Sequence, residues 1–393
     1  MNKKVYLCIT PFFPTAQSFR GPYVYDQVRA IEATDEYRVV VLHPALWDDK
    51  SESYCYRGVT VNLFAIYDLP TNMWPGANTW LSVRSFDRCL KRLGIAFDDI
   101  AVVHAHTIGM ARFANHVKER NPRCLTMLQH HGYDMLGFNL GRFRDMGWHK
   151  RLVLHNGVKQ CNKIDLHIGV SRQTLTYLEA HKGIKLKDTY VLYNGVDMDK
   201  FRDERQRKDG EPYHIGCVAN FWELKDQMTL IRAVEMLVGE GVDDVRVSFV
   251  GTGATRERCE RYVAEKGLDR YVEFRTEVDH TQLCAYYNTL DLFVLPSYWD
   301  AFGCVYTEAY ACGVPFMTAR GSGITELIPA ADYHRWVIDP HDHTSLARNI
   351  KEVMAQRGTP ANQLQPLTSP IDITTLVGDF LRRIAEKTAT AQE

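Results

Sequence analysis

The feature that most constrains the fold is the alternation of short apolar runs with longer amphipathic segments. In the segment 23–33, Val24, Val28 and Ile31 fall at helical spacing. Several of the apolar runs are almost continuously apolar, as strands buried on both faces are. This alternation predicts parallel sheets with crossover helices. The candidate strands are KVYLCIT, RVVVLH, AVVHAH, CLTMLQH, LHIGVS, YVLYN, YHIGCVA, VRVSFVG, YVEFR, LDLFVLPS and VPFMTA.

The strand and helix pattern runs twice along the 393 residues, a length that exceeds one ordinary core. We predict a first Rossmann-like domain at 1–198, a polar linker at 199–212 (DKFRDERQRKDGEP is residues 199–212) and a second Rossmann-like domain at 213–365. The C-terminal helix and tail, 366–393, could pack back on the first domain. The expected fold class is α/β, with two doubly wound domains facing across a cleft that holds the ligand at the carboxyl ends of the strands.

Composition narrows the class of protein further. The sequence is 45% hydrophobic and 24% charged, and no apolar run approaches the ~20 residues of a membrane-spanning helix. We interpret the N-terminal VYLCIT as a strand and not as a signal peptide. The ten cysteines are scattered without a CxxC pair. This usage predicts reduced thiols and a cytoplasmic protein.

Charge is distributed unevenly. Residues 1–195 carry 25 Lys and Arg against 17 Asp and Glu, whereas residues 196–393 carry 22 against 31. Six of the basic residues lie in the segment 141–163, where aromatic and aliphatic residues are interleaved with them. A solvated helix face explains this segment, and so does peripheral contact with the inner face of an anionic membrane that carries a lipid-linked acceptor. Nothing in the segment resembles a nucleic-acid platform.

Two acids flank a predicted helix start in SYWDAFGCVYTEAYACGVP, residues 297–315. Asp300 lies in the loop after a buried strand, and Glu308 lies inside the following helix. Backbone N–H groups near Gly303 form the helix N-terminus, which is an anion site. An acid, an anion site and a second acid match a sugar, a diphosphate and a ribose. The alternative is that Asp300 only caps the helix and that Glu308 is solvated.

The segment LDLFVLPSYWDAFGCVYTEAYACGVPFMTARGSGITELI resembles the donor-site signature of glycosyltransferase family 4, which are retaining enzymes of the GT-B fold. Most of the chain shares the resemblance, through PFFPTAQSFRGPYVYDQVRAIEA, VVHAHTIGMARFANHV, QHHGYD, LHIGVSRQTLTYLEA, YNGVD, ANFWELKDQMTLIRAV and VSFVGTGATRERCERYVAEKGL. The chain departs from the family at Asn220, where an arginine is usual, and at Asp300, where a glutamate is usual.

The resemblance implies a role for each candidate site residue. His131, Asp300 and Glu308 would be catalytic, with His131 and Asp300 at the donor sugar and Glu308 at the ribose. The remaining donor-binding candidates are Gly21, Asn220, Lys225, Gly251, Phe302, Gly303, Cys304 and Val305. A turn glycine before Pro22 explains Gly21 equally well. The segment GTGATR, 251–256, is a weak dinucleotide fingerprint, and packing of a strand–helix turn is its simpler explanation.

These observations predict a retaining, metal-independent glycosyltransferase that moves a sugar from a nucleotide-diphosphate sugar to a glycan or lipid-linked acceptor. We expect no metal site, because no Asp or Cys set completes one with His104, His106, His130 and His131. Two alternatives remain open at this point. They are a nucleotide-sugar epimerase of the same fold and a non-catalytic relative that has lost turnover.

Overall fold

The computed structural model describes residues 3–18, 20–49, 51–67, 78–132, 148–180, 183–205, 210–276, 278, 281–359 and 366–390. The chain divides into two compact units, of which the first consists of Met1–Gly195 and Ile373–Glu393 and the second of Val196–Asp372. Each unit contains one sheet with its own buried residues.

The first unit contains an eight-stranded sheet in the order β3-β4-β2-β1-β5-β6-β7-β8. All neighbouring strands are parallel except the β3–β4 pair. The strands are β1 (Val5–Ile9), β2 (Arg38–Leu46), β3 (Ser53–Tyr56), β4 (Val59–Ile66), β5 (Ile100–His106), β6 (Leu125–His130), β7 (Leu166–Gly169) and β8 (Thr189–Val191).

The second unit contains a six-stranded, wholly parallel sheet in the order β11-β10-β9-β12-β13-β14. This is the doubly wound order, in which successive strands are added on one side of β9 up to β11 and on the other side from β12 onward. The strands are β9 (Tyr213–Val218), β10 (Val245–Val250), β11 (Val272–Arg275), β12 (Leu292–Leu295), β13 (Phe316–Ala319) and β14 (Val337–Ile338).

Helices follow most strands and cover the sheets. None of the described helices is long and apolar enough to cross a membrane. They are α1 (Pro22–Ala33), α2 (Thr79–Arg92), α3 (Ala111–Arg120), α4 (Trp148–Cys161), α5 (Arg172–Glu179), α6 (Gln227–Gly239), α7 (Arg256–Glu265), α8 (Leu283–Tyr287), α9 (Cys304–Ala311), α10 (Tyr333–Trp336), α11 (His343–Ala355) and α12 (Ile373–Thr390).

All eleven candidate strands are strands, but the hairpin β3–β4 and the short β14 escaped the sequence pattern. The hairpin turns at Arg57 and Gly58, which have φ values of 45° and 87°. Positive φ at both central residues is typical of the tight turn that suits the twist of two antiparallel strands.

The predicted linker at 199–212 is corrected in its described part. The chain passes between the units at Gly195–Val196 and again at Asp372–Ile373. Phe201 is buried, and the Asn288 amide holds the backbone at Arg202 and Glu204 through bonds of 3.0 and 2.6 Å. Residues 199–205 therefore belong to the second unit, because an aromatic anchor and two hydrogen bonds fix them there.

The C-terminal helix α12 completes the core of the first unit. Val377, Phe380 and Ile384 are buried in one cluster with residues of β1, α1 and β6. The unit is thus built from both ends of the chain, and the second unit is inserted between them.

Candidate active site

In the second unit, the loops that leave β9 and β12 start side by side, because β9 and β12 are neighbours in the sheet. This is the point where the strand order reverses, and ligands of doubly wound sheets bind outside the carboxyl ends of the strands there. The loop after β9 supplies Lys225, and the loop after β12 supplies Asp300.

Lys225 and Asp300 form an ion pair between these two loops. Both side chains are mostly buried, with 20% and 14% of the side chain exposed. The Asp300 carboxylate also lies against Gly303, since a Cβ placed on that glycine would stand 3.4 Å from Oδ2. Lys225, Asp300 and the amino end of α9 therefore lie next to one another. The sequence predicted that Asp300 lies in the loop just before a helix that starts near Gly303.

Backbone contacts fix the loop that carries Asp300. Asp300 donates its N–H to Gly321 (3.3 Å), and its carbonyl accepts from the N–H of Gly323 (2.9 Å). A Cβ on Gly321 would stand 2.4 Å from the Tyr298 carbonyl oxygen, so only glycine allows this approach. The Ser297 hydroxyl lies within donating distance of the carbonyls of Leu224 (2.9 Å) and Trp299 (3.0 Å), and its single hydrogen on the Leu224 carbonyl ties the two loops together.

Glu308 lies one turn inside α9 and is buried. The Tyr287 hydroxyl donates to Glu308 Oε2 over 2.9 Å, from the last residue of α8. Burial, together with the neighbouring Glu308 carboxylate, raises the pKa of Tyr287 well above its ordinary value. Tyr287 therefore remains a donor at physiological pH and orients the carboxylate. Glu308 is not the solvated acid of the alternative interpretation.

The amino end of α9 is well placed to hold an anion. Gly303 precedes the helix with φ 85°, and Gly303, Cys304 and Val305 are all partly exposed. The N–H groups of a first helical turn have no acceptor within the helix. The Phe302 side chain is buried, so a role for Phe302 at a donor can involve only its backbone.

Asn220 and Gly251 lie in adjacent loops of the second unit. The Asn220 carbonyl accepts from Gln227 Nε2 (3.0 Å) and Trp222 N–H (2.9 Å), and the residue is exposed. Gly251 packs so closely that a Cβ would stand 2.2 Å from the Ala219 carbonyl oxygen. Close loop packing accounts for this glycine by itself, in agreement with the simpler interpretation of GTGATR.

Gly21 and His131 belong to the first unit and approach each other through Tyr23. Gly21 caps α1 with φ 81°, and a Cβ there would stand 2.8 Å from the Phe12 carbonyl oxygen. The Tyr23 ring lies 4.9 Å from the His131 ring, centroid to centroid. Packing against Phe12 requires glycine at position 21, and this requirement is independent of any ligand.

A buried chain of polar side chains supports His131. His106 Nδ1 is 2.9 Å from His131 Nε2, the His104 and His106 rings stack at 4.4 Å, and Tyr6 Oη is 2.6 Å from His104 Nδ1. Burial lowers the pKa of His104 to about 3, with the nearby His131 adding to the effect. Burial likewise holds the pKa of His106 well below its ordinary value. Both imidazoles are therefore neutral at physiological pH, and the chain positions His131 by hydrogen bonding.

Sequence reasoning missed the partners of the predicted residues. Tyr287, Ser297, Tyr23 and His106 each contact a candidate or its loop. A tyrosine at the end of a helix or a serine after a strand has no periodic signal. Only for His106 did the sequence give a signal, because the motif HAH at 104–106 ends a predicted strand next to the one that leads to His131.

Both halves of the chain match models of glycosyltransferase families. Residues 21–200 match Glycosyltransferase Family 4, and residues 198–365 match Glycosyl transferases group 1. The two-unit fold is GT-B, that of a large class of glycosyltransferases. The chain belongs to family 4, the group 1 glycosyltransferases.

Curated relatives align with less than half of the chain. The D-inositol 3-phosphate glycosyltransferase of Corynebacterium jeikeium is 30% identical over 40% of this chain and 41% of its own length. A GDP-mannose-dependent alpha-(1-6)-phosphatidylinositol monomannoside mannosyltransferase of Mycolicibacterium smegmatis is 29% identical over 47% of this chain and 52% of its own length. The chain thus spans about half the length of these relatives.

Solved structures match nearly the whole chain. Sucrose-phosphate synthase from Thermosynechococcus elongatus has a TM-score of 0.73 at 19% identity, covering 98% of this chain and 100% of that one. HepE of Anabaena in complex with UDP has a TM-score of 0.68 at 16% identity, with the same coverage. At these identities the likeness concerns the fold.

Proposed function

We propose that this protein is a retaining glycosyltransferase that transfers a sugar from a nucleotide-diphosphate sugar to an acceptor hydroxyl, in polysaccharide or glycolipid biosynthesis. The observation that carries the proposal is the meeting of Lys225, Asp300 and the amino end of α9, with Glu308 held one turn further along that helix. This arrangement offers hydroxyl acceptors on both sides of an anion site, which is what a sugar, a diphosphate and a ribose require.

In the proposed reaction the acceptor hydroxyl attacks the anomeric carbon on the face from which the diphosphate departs. The C–O bond to the phosphate breaks, and the leaving phosphate oxygen takes the proton of the hydroxyl. Lys225 and the N–H groups at the start of α9 stabilise the charge that develops on the diphosphate, and such stabilisation by fixed donors is often the largest catalytic contribution. The protein supplies positioning and electrostatics, with no metal ion and no covalent intermediate.

The other candidates take roles that follow from the resemblance. Asp300 accepts from hydroxyls of the donor sugar while Lys225 bridges it to the diphosphate, and Glu308 accepts from the ribose. His131 is assigned to the donor sugar, and its neutral neighbours keep the imidazole oriented. Gly21, Asn220 and Gly251 remain candidates for backbone or amide contacts with the donor.

Substitution of Glu308 tests the proposal directly. We expect Glu308→Ala to abolish transfer and to weaken donor binding, while the circular dichroism spectrum stays that of the folded wild type. Glu273→Gln is the control, because Glu273 on β11 is paired at the surface with Arg246 of β10 and Arg275 of β11. Full transfer activity in the Glu308→Ala enzyme would refute the assignment.

The stereochemistry and metal independence need their own measurements. Proton NMR of the product should show the anomeric configuration of the donor, and an inverted product would contradict the proposed mechanism. After gel filtration in chelator, added Mg2+ or Mn2+ should leave the initial rate unchanged.

Two other functions are distinguished by simple assays. An epimerase would convert the donor to an isomer without acceptor, which NMR of the nucleotide sugar would show. A non-catalytic relative would bind donor in calorimetry without transfer or hydrolysis, and Asn220 and Asp300 are the departures that favour it.

We propose that the first unit, which we assign to the acceptor, contacts an anionic membrane surface through 141–163. Residues 141–147 lie outside the described residues, but α4 presents an exposed Trp148, and Arg151, Lys159 and Lys163 are exposed too. The protein should co-sediment with vesicles containing anionic lipid at low salt and be released at high salt, since these charges act through screened attraction. Equal binding to neutral vesicles would exclude this role.

A further inference from the structure

A cluster of metal-ligating side chains lies in the first unit, on the sheet face opposite to His131. His130 of β6 pairs in register with Gly169 of β7, so His130 and His167 point to the same face. Cys161, the last residue of α4, packs on that face. All three side chains are buried. We call this group the His–Cys cluster.

The ligand atoms of the His–Cys cluster converge. His130 Nε2 is 3.2 Å from His167 Nδ1, and Cys161 Sγ is 3.9 Å from the same nitrogen. The three atoms all lie within 4.8 Å of one another. In a tetrahedral zinc site with Zn–N of about 2.05 Å and Zn–S of about 2.3 Å, neighbouring ligand atoms are about 3.3 Å (N to N) and about 3.6 Å (N to S) apart. The nitrogen pair already has this separation, and each distance from the sulfur to a nitrogen has to shorten by no more than about 1.2 Å.

The surroundings of the cluster are apolar, since Leu128, Cys161 and Ile164 belong to one core cluster. A hydrogen bond between the two histidines and a bond between His167 and the Cys161 backbone hold the group together. The Cys161 thiol, a weak hydrogen-bond partner, adds a third ligand atom beside the two imidazoles. Two imidazoles and a thiolate form a typical ligand set for Zn2+ and for softer ions such as Cu+.

We propose that His130, Cys161 and His167 supply three ligands to a transition-metal ion, Zn2+ in the first instance, whose fourth ligand is a water molecule or a small anion. On binding, the Cys161 thiol gives its proton to solvent and the sulfur coordinates as thiolate, so no oxidant or reductant is needed. The ion joins β6, β7 and the end of α4. It takes no part in sugar transfer, because the cluster and His131 lie on opposite faces of the sheet.

Cobalt reports on such a site by its spectrum. The full-length protein, freed of metal by chelator under reducing conditions, is titrated with Co2+ and then with Zn2+ and Cu+. We expect one equivalent of Co2+ to bind, with visible bands of a tetrahedral ion and a sulfur-to-cobalt charge-transfer band, and Zn2+ to displace it. If only Cu+ displaced the bound Co2+, the metal site would be confirmed and its preferred ion would be Cu+.

Variants connect the spectrum to the cluster. Cys161→Ala should lose the charge-transfer band, and His167→Gln should weaken Co2+ binding at least tenfold. Cys124→Ala is the matched control, since Cys124 is a buried thiol in the same core cluster, and it should bind like the wild type. Nucleotide binding by these variants, measured in calorimetry, should not change, which separates this site from the donor site.

Two results would overturn the proposal. One is a wild-type protein that binds no Co2+ or shows no sulfur-to-cobalt band, and this result does not depend on whether the variants fold. The other is a charge-transfer band that persists in Cys161→Ala and disappears in Cys124→Ala.

Discussion

At the residue scale, the hydrogen bond from Tyr287 to Glu308 decides how the buried carboxylate is presented. Tyr287→Phe removes only the hydroxyl and keeps the packed ring. A hydrogen bond to a charged acceptor is worth about 1.5–3 kcal/mol, so we expect kcat/KM for the donor to fall tenfold or more. Steady-state kinetics with varied donor would measure this loss.

The adjacent Tyr286 provides the control for that substitution. Its hydroxyl lies 2.7 Å from Ser248 Oγ and is buried like that of Tyr287, but it does not bond to Glu308. Tyr286→Phe should lower the free energy of unfolding about as much as Tyr287→Phe does. It should leave kcat/KM close to that of the wild type. Equal losses of activity in both variants would mean that the effect comes from packing and not from the carboxylate.

His104 makes stability depend on pH. Burial depresses its folded-state pKa to about 3 from the ordinary 6.5, so between these values the unfolded chain binds more protons than the folded one. The stabilisation is complete above pH 6.5 and is lost as the pH falls. The contribution of His104 alone falls by about 2 kcal/mol between pH 7 and pH 5. Urea unfolding should show at least this drop, because the pKa of His106 is depressed as well, and His104→Gln should have a flatter pH profile. An equally steep profile in the variant would assign the effect to other groups.

At the scale of elements, the start of α9 depends on a left-handed glycine. Gly303→Ala would place a methyl 2.6 Å from the Tyr306 ring in a backbone conformation with φ 85°. We expect a loss of stability of about 1–2 kcal/mol from the backbone alone and a loss of nucleoside diphosphate binding. Calorimetric titration with UDP and with GDP would show it.

Gly241 provides the control for Gly303→Ala, because its backbone has the same left-handed conformation but lies outside the proposed donor site. Its φ is 83°, and a Cβ there meets nothing within 4 Å. Gly241→Ala should therefore lose comparable stability while its nucleotide affinity stays unchanged. If both variants bound nucleotide normally, the helix start would not be the anion site.

Most of the predictable strands, such as β1, β6 and β12, are buried on both faces, and their apolar runs need no partner to be recognised. The strands β8 and β11 were predicted as well, although they are only partly buried. The hairpin β3–β4 was not predictable from such runs, since half of SYCYRGVTVNLFAI faces outward and its turn has no Asn-Gly or Asp-Gly pair. The loop position of Asp300, the helix start at Gly303 and the place of Glu308 inside α9 were predictable because one short segment carries all three residues. Tyr287 was not, since its contact with Glu308 joins two helices 21 residues apart in sequence.

At the scale of the whole molecule, the insertion of Val196–Asp372 between the two parts of the first unit has a thermodynamic consequence. Each unit buries its own sheet, so we expect two calorimetric unfolding transitions. Phe380→Ala in α12 should lower only the transition of the first unit and Leu230→Ala in α6 only that of the second, by about 2–5 kcal/mol each. Both side chains are fully buried.

Those two substitutions show which unfolding transition belongs to which unit. The effect of the donor on each transition then shows which unit binds it. Lys225, Asp300, Gly303 and Glu308 all belong to the second unit. A nucleotide sugar at a hundredfold excess over its dissociation constant adds about 2.7 kcal/mol to whatever binds it. We therefore expect the donor to raise the transition that Leu230→Ala lowers and to move the other one much less. A donor that raised only the transition sensitive to Phe380→Ala would place nucleotide binding in the first unit and contradict the site built on α9.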